Sequence, residues 1–286
     1  TRVADVDISV AADFDNDGLV ALFSWNARKL YRNQGEMKFA EFTLPELPAS
    51  RSRGACWGDF NGDGFVDLFV GGYEDLNAGI AWPFQILINE QGKSFKLLQS
   101  KSYTRARGIT ACDFDQDGDM DLLGTARLAG QIIWYENEQK DQSISWKKHP
   151  LDTQSVCPAH GNPVDMDQDG DLDVVMALGF YYRPSGDRAG ASIDRKDNQI
   201  VWYENNGRPA AGPWEKHVIH PMFDDAFEAI AGDLDGDGDM DVAATSWRLP
   251  GRVAWFENKG DSRGPWKYHL LKDCLLYTSP SPRDRG

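Results

Sequence analysis

Cysteine is scarce in this 286-residue chain, with Cys56, Cys112, Cys157 and Cys274 as the full set. Cys56 stands three residues before one acidic stretch, Cys112 one residue before another, and Cys157 in a connection. No repeated disulfide framework is spelled out, so the thiols are expected to be buried or free. Long apolar runs are missing too: none approaches the ~20 residues of a membrane-spanning helix, so no membrane span is expected in this chain. There is no Ser/His/Asp order, no phosphate-cradling glycine loop and no Cys/His metal cluster. Basic residues are outnumbered, 30 Lys and Arg against 45 Asp and Glu for a net charge of −15. A nucleic-acid partner, which calls for a basic surface, is not expected.

The acid is concentrated. Residues 233–241 read DLDGDGDMD, with copies DMDQDGDLD at 165–173, DFDQDGDMD at 113–121, DFNGDGFVD at 59–67 and a decayed DFDNDGLVA at 13–21. Carboxylates this close repel one another unless a cation lies between them. Oxygen donors at positions 1, 3, 5 and 9, with glycine at 6 for a sharp turn, suit a hard ion that takes many oxygens, and calcium is the expected one. The side-chain ligands would be Asp59, Asn61, Asp63 and Asp67; Asp113, Asp115, Asp117 and Asp121; Asp165, Asp167, Asp169 and Asp173; and Asp233, Asp235, Asp237 and Asp241. The backbone carbonyls of Phe65, Asp119, Asp171 and Asp239 would complete the four sets. The first loop offers Asp13, Asp15 and Asp17, but Ala21 stands at its ninth position, so a weak or empty site is expected there. An EF-hand would need Glu at the twelfth position and flanking helices; the twelfth residues are Val70, Gly124, Met176 and Ala244. The five loops hold 21 Asp, so most of the net charge is metal-site chemistry and does not by itself imply a basic partner.

What surrounds the loops repeats as well. Each is followed by a short apolar run (VALFSW, VDLFVGG, MDLLGT, LDVVMAL, MDVAATSW) and then a second (LYRN, ILIN, IIWYEN, IVWYEN, VAWFEN). The last three units add Trp146 to His149, Trp214 to His217 and Trp266 to His269, whose histidines are read as repeated packing and hydrogen-bonding residues. Each unit therefore holds four short strands and no convincing helix. The first Asp recurs at steps of 46 to 68 residues, a period that fits β-propeller blades. With these loops and strands the chain resembles the FG-GAP/VCBS repeats of integrin-α-type calcium-binding β-propellers, over residues 1 to about 272. The resemblance implies an all-β propeller of four-stranded antiparallel blades, five of them visible and about seven in the parent, with calcium held between the first and second strand of each blade.

The blades are expected at 1–45, 46–100, 101–152, 153–221 with an insertion at 179–197, and 222–273. Residues 274–284, CLLYTSPSPRD, switch to Ser, Pro and Arg and resemble the translation of a transposon-type sequencing adapter, so 274–286 is set aside as an artefact. On that reading the parent continues past Asp273, and Thr1 in place of Met points the same way. Calcium loops of this type work at about millimolar calcium, which suggests a secreted or cell-surface protein.

In a four-stranded antiparallel blade the loops between strands one and two and between three and four share one end, which carries the calcium. The opposite end collects Arg53, Arg107, Arg127, His160, Tyr181, Tyr182, Arg183, Trp247 and Arg248, expected to bind a ligand, together with Arg28, Asp224, Asp225 and Glu228. Arginine pairs with carboxylate or sulfate and the aromatic rings offer flat faces to sugars. The expected function is a recognition or adhesion module for carbohydrate, including acidic polysaccharide, or for an extracellular protein. The alternative is a polysaccharide lyase, in which Arg neutralises a uronate and Tyr or His moves the proton.

Overall fold

The computed structural model describes residues 9–48, 52, 54–72, 74–75, 80–99, 108–127, 129–139, 144–180, 198–247 and 251–272. Among these the chain is all-β, with no α-helix and a single 3-10 turn at Pro209–Ala211. No helix of the described residues is long and apolar enough to cross a membrane.

Five four-stranded antiparallel sheets follow one another along the chain. The first comprises β1 (Ser9–Ala12), β2 (Ala21–Ser24), β3 (Lys29–Asn33) and β4 (Phe39–Phe42), paired in that order. The second comprises β5 (Ala55–Gly58), β6 (Asp67–Val70), β9 (Gln85–Asn89) and β10 (Phe95–Gln99). Between β6 and β9 lies a small two-stranded ribbon, β7 (Glu74–Asp75) with β8 (Ile80–Ala81), which the repeat pattern does not announce. The third is β11 (Ile109–Cys112), β12 (Asp121–Ala126), β13 (Gln131–Asn137) and β14 (Trp146–Asp152). The fourth is β15 (Gly161–Val164), β16 (Asp173–Ala177), β17 (Ile200–Glu204) and β18 (Glu215–His220). The fifth is β19 (Ala226–Gly232), β20 (Asp241–Ser246), β21 (Val253–Glu257) and β22 (Lys267–Lys272).

The apolar runs after the acidic loops become the second strands, and burial explains their composition. β6 and β16 are buried at every position, because an inner strand sandwiched between neighbouring sheets has no solvent face. The outer strand β22 has lost that constraint and is largely exposed.

The chain falls into two compact units, the first Thr1–Ala126 with Ile133–His149, the second Arg127–Ile132 with Pro150–Gly286. Inside the first, Phe14, Phe23, Leu68 and Phe95 pack between sheets one and two, and Phe60, Phe69, Ile86 and Leu122 between sheets two and three. Inside the second, Val175, Trp202, Phe223, Val242 and Phe256 form the core between sheets four and five. Cys56 and Cys112 are buried free thiols, and Cys157 is a half-buried one.

Candidate metal centres and the opposite strand ends

Every acidic nonamer lies between the first and second strand of its sheet, and all five fold by one hydrogen-bond pattern. The sixth-position glycine runs at φ of 83° to 99°, a left-handed conformation that a Cβ would strain. Its N–H donates to the first Asp: Gly18 to Asp13 and Gly64 to Asp59 at 2.8 Å, Gly118 to Asp113 at 3.0 Å, Gly170 to Asp165 and Gly238 to Asp233 at 3.1 Å. The seventh N–H donates to the fifth-position carboxylate, as Leu19 to Asp17, Phe65 to Asp63, Asp119 to Asp117, Asp171 to Asp169 and Asp239 to Asp237. Local bonds of this kind fix the loop before any ion enters.

The ninth-position Asp has a second task that spacing alone did not reveal. Asp67, Asp121, Asp173 and Asp241 are all essentially buried. Their Oδ2 atoms accept the second-position N–H of Phe60, Phe114, Met166 and Leu234 at 2.9–3.1 Å. Their Oδ1 atoms accept the N–H of Asn89, Asn137, Asn205 and Asn258 at 2.7–2.8 Å. These asparagines end or directly follow the third strand of sheets two to five, and their side-chain amides reach back to the eighth-position carbonyls of Val66, Met120, Leu172 and Met240. Asp and Asn thus clasp loop, second strand and third strand together. The repeated Asn closing LYRN, ILIN and the three EN runs was the available signal for it.

Desolvation pushes the Asp67, Asp121 and Asp173 carboxyls up to about 7 despite the two backbone donors each accepts. A nearby cation would reverse that push.

One carboxylate oxygen each from Asp113, Asp115 and Asp121, from Asp165, Asp167 and Asp173, and from Asp233, Asp235 and Asp241 come within 4.8 Å of one another. The fifth-position side chains Asp117, Asp169 and Asp237 stand outside these groups. The residues fit a hard cation on one decisive point. Asp113 Oδ1, Asp115 Oδ1, Asp165 Oδ1 and Asp167 Oδ1 are buried and accept no hydrogen bond, a costly state for a carboxylate oxygen that a calcium ion relieves. In the second loop Asn61 replaces the third-position acid, and its amide donates to Asp63 Oδ2 at 3.2 Å. In the first loop Asp13, Asp15 and Asp17 converge, but Arg32 lies among them.

Beside loops three to five stands a repeated trio. His149 stacks on Trp134 at 4.4 Å and meets Glu136 at 2.6 Å; His217 stacks on Trp202 at 4.4 Å and meets Glu204 at 2.7 Å; His269 stacks on Trp255 at 4.3 Å and meets Glu257 at 2.6 Å. These histidines pack and bond, as their repetition suggests. Burial raises the Glu136 and Glu204 carboxyls, but the donors around them, Lys147 with His149 and Arg263 with His217, outweigh it and leave both below their usual range.

At the other end of the strands, Arg53, Arg107, Tyr181, Tyr182, Arg183 and Arg248 lie outside the described residues, as does the insertion from residue 181 onward. Arg127, His160 and Trp247 are described and gather in the second unit around two phenylalanines that sequence reasoning missed. Phe180 lies 5.1 Å from Phe227 and 6.0 Å from Trp247, and Phe227 lies 5.1 Å from Trp247 and 4.9 Å from His160, ring centre to ring centre. The Arg127 guanidinium sits 6.0 Å over the Phe180 ring and donates to the Phe180 carbonyl at 3.3 Å. His160 Nδ1 is 4.0 Å from Glu228. Trp247 is 49% exposed. Arg28, by contrast, is spent on structure, bonding Pro48 and Gln85, and Asp225 is buried, its carbonyl accepting the Trp247 N–H.

These repeated four-stranded sheets with an acidic loop between the first two strands define a class of repeat protein. A model of the FG-GAP-like repeat matches residues 10–70, 113–176 and 165–244. The chain belongs to the FG-GAP-like repeat family, and its fold is of the all-β propeller type with four-stranded antiparallel blades. No curated protein matches it. Among solved structures it is similar to the Photorhabdus luminescens Tc holotoxin pore at 16% identity and a TM-score of 0.44, covering 92% of this chain and 12% of that one. It is also similar to the V. cholerae biofilm matrix protein Bap1, at 19% identity and a TM-score of 0.39, covering 76% and 39%. A third is the exotype rhamnogalacturonan lyase YesX, at 10% identity and a TM-score of 0.39, covering 93% and 64%. The chain thus spans from 12% to 64% of the length of these three.

Proposed function

We propose that this chain is a calcium-stabilised, secreted recognition module whose far strand ends bind an acidic carbohydrate or an extracellular protein. The observation that carries the calcium half is the set of buried first- and third-position carboxylate oxygens in loops three and four that accept no hydrogen bond. Asp59, Asn61, Asp63 and Asp67 in loop two, and Asp233, Asp235, Asp237 and Asp241 in loop five, hold further ions, with the carbonyls of Phe65, Asp119, Asp171 and Asp239 as additional ligands. Extracellular modules bind calcium at roughly 0.1–1 mM, matching a secreted location.

The recognition half rests on the aromatic group of Phe180, Phe227 and the exposed Trp247, with Arg127 and His160 at its margin. Arg53, Arg107, Tyr181, Tyr182, Arg183 and Arg248 are proposed as further ligand-binding residues. An indole offers a sugar ring a flat apolar face, and arginine a bidentate partner for carboxylate or sulfate. Binding of a sulfated or uronic-acid polymer, measured by calorimetry, should fall at least tenfold in Trp247→Ala and Arg107→Ala, with melting temperature nearly unchanged. Equal binding by parent and variants removes the site assignment. Release of unsaturated uronate ends, seen as new ultraviolet absorbance, would replace recognition by lyase chemistry.

A further inference from the structure

We propose that the first loop carries its own cation: the Arg32 guanidinium stands in for calcium there, and this loop takes no ion. The inference rests on the calcium reading of the other four loops. Arg32 Nε lies 2.6 Å from Asp15 Oδ2 and its Nη2 lies 3.2 Å from Asp17 Oδ2, so one side chain joins the third- and fifth-position acids. The remaining groups are met from within the loop. Asp13 accepts the N–H groups of Asp17 at 3.1 Å and Gly18 at 2.8 Å, and Asp17 Oδ1 accepts that of Leu19 at 2.9 Å. In loops three and four the first- and third-position acids each keep a buried oxygen with no donor, whereas in loop one the single such oxygen, Asp15 Oδ2, is the atom that Arg32 meets as an ion pair.

The position of Arg32 is what makes the substitution legible. Asn33 donates to the eighth-position carbonyl, Val20, at 3.1 Å, the same bond that Asn89, Asn137, Asn205 and Asn258 make in the other four repeats. The residue before each asparagine is therefore structurally equivalent. It is Glu136, Glu204 and Glu257 in the last three repeats, Ile88 in the second and Arg32 in the first. The charge at this point is reversed in the one repeat whose ninth position has lost its carboxylate to the buried Ala21. Loop one thus sets three acids against one base, while loops three to five each combine five acids with a glutamate alongside. A guanidinium is permanently charged and forks between two carboxylates, as this place requires.

Arg263, beside loop four, provides the contrast. It reaches Asp167 Oδ2 at 2.9 Å and Glu204 at 2.7 Å, yet leaves Asp167 Oδ1 buried without a donor, and loop four keeps its ninth acid, Asp173. Arg263 borders a site that is otherwise complete, whereas Arg32 sits among the ligands of one that is not.

The test is a calcium count on the full chain, by calorimetric titration of chelator-stripped protein and by metal analysis after dialysis at 1 mM calcium. The parent should take four ions and Asp15→Asn still four, with the calcium-induced rise in melting temperature unchanged. Asp115→Asn should take three. The double variant Arg32→Glu/Ala21→Asp should take five. A parent count of five, a loss of one ion in Asp15→Asn, or a folded double variant that stays at four overturns the inference. If the double variant does not fold, the Asp15→Asn count decides. A chain that takes no calcium at all defeats the wider calcium reading, a result distinct from a count of five.

Discussion

Asp115 and Asp121 belong to the same loop but differ in bonding, and substituting each by Asn separates the proposed ion-holding role from the structural role of Asp121. Asp115 Oδ1 is buried without a hydrogen-bond donor, and burial, with Asp117 as the next cause, raises its carboxyl above the usual range. Asp115→Asn removes a charge that costs free energy in the calcium-free protein, so the chelated variant should be no less stable than the parent. In calcium at ten times the Kd it forfeits the increment of one site, about 1.4 kcal/mol, or about 4 °C in a domain of this size. Asp121 accepts Phe114 N at 3.1 Å, Trp134 Nε1 at 2.8 Å and Asn137 N at 2.7 Å, all in the interior. An asparagine there keeps one acceptor oxygen and turns an NH2 toward a donor, leaving one or two buried N–H groups unmet. At ~1–3 kcal/mol for each, Asp121→Asn should lose about 1–6 kcal/mol even in chelator, and in calcium the increment of its site besides. The assay is thermal melting of parent and both variants in 1 mM calcium and in excess chelator. Equal destabilisation of Asp115→Asn in the two buffers, or a chelated Asp121→Asn that melts with the parent, would refute the division.

Calcium addition near pH 6.5 should release protons. Asp67, Asp121 and Asp173 titrate at about 7 in the ion-free fold, against roughly 3.9 unfolded. Their folded forms then bind more protons than the unfolded chain between those values, so their contribution to ion-free stability declines as pH rises from 4 to 7. Calcium needs the ionised form, so its affinity should weaken as pH falls through the same range; calorimetry in buffers of different ionisation enthalpy would detect the release, and zero release contradicts it. His149→Ala gives up the stack on Trp134 and the bond to Glu136, and should cost ~1–2 kcal/mol with the calcium increment intact. A changed calcium affinity would instead make the histidine part of the ion site. Chelation should weaken binding of an acidic polysaccharide although none of the proposed ligand residues belongs to an acidic loop; affinity that ignores calcium would separate the two ends of the blade.

The sequence made the loops legible because their chemistry is local: alternate oxygens, one glycine and an apolar run lie within about fifteen residues. The four-stranded sheets followed from the same repetition. Features made by distant partners stayed hidden. The Asp121–Asn137 clasp joins residues 16 apart whose pairing depends on β12 lying against β13. Arg32 reads as an ordinary strand residue until the asparagine register sets it beside Asp15. Phe180 and Phe227 look like core residues in sequence, and only folding places them between Arg127, His160 and Trp247. The β7–β8 ribbon sits where an apolar periodicity of two is too short to register.

The second strand is the physical link between the two ends. β12 begins at Asp121 and leads into Arg127; β16 begins at Asp173 and ends three residues before Phe180; β20 begins at Asp241 and ends one residue before Trp247. In each, the clasp Asp fixes one end of a strand that at ~3.3 Å per residue runs about 17–20 Å to the other. β16 is buried at every position and β12 at all but its last, while β20 is buried at its start and half-buried toward its end. A strand gripped by packing cannot slide by part of a residue without moving its whole hydrogen-bond register. An ion at the loop would therefore fix the register at one end, and the side chains at the other would inherit that position without touching the metal. On the proposed reading, calcium so placed would act on recognition through strand geometry. The aromatic and basic residues stand at ends of strands that are anchored elsewhere, so a rigid scaffold can present a face whose composition varies from one repeat to the next.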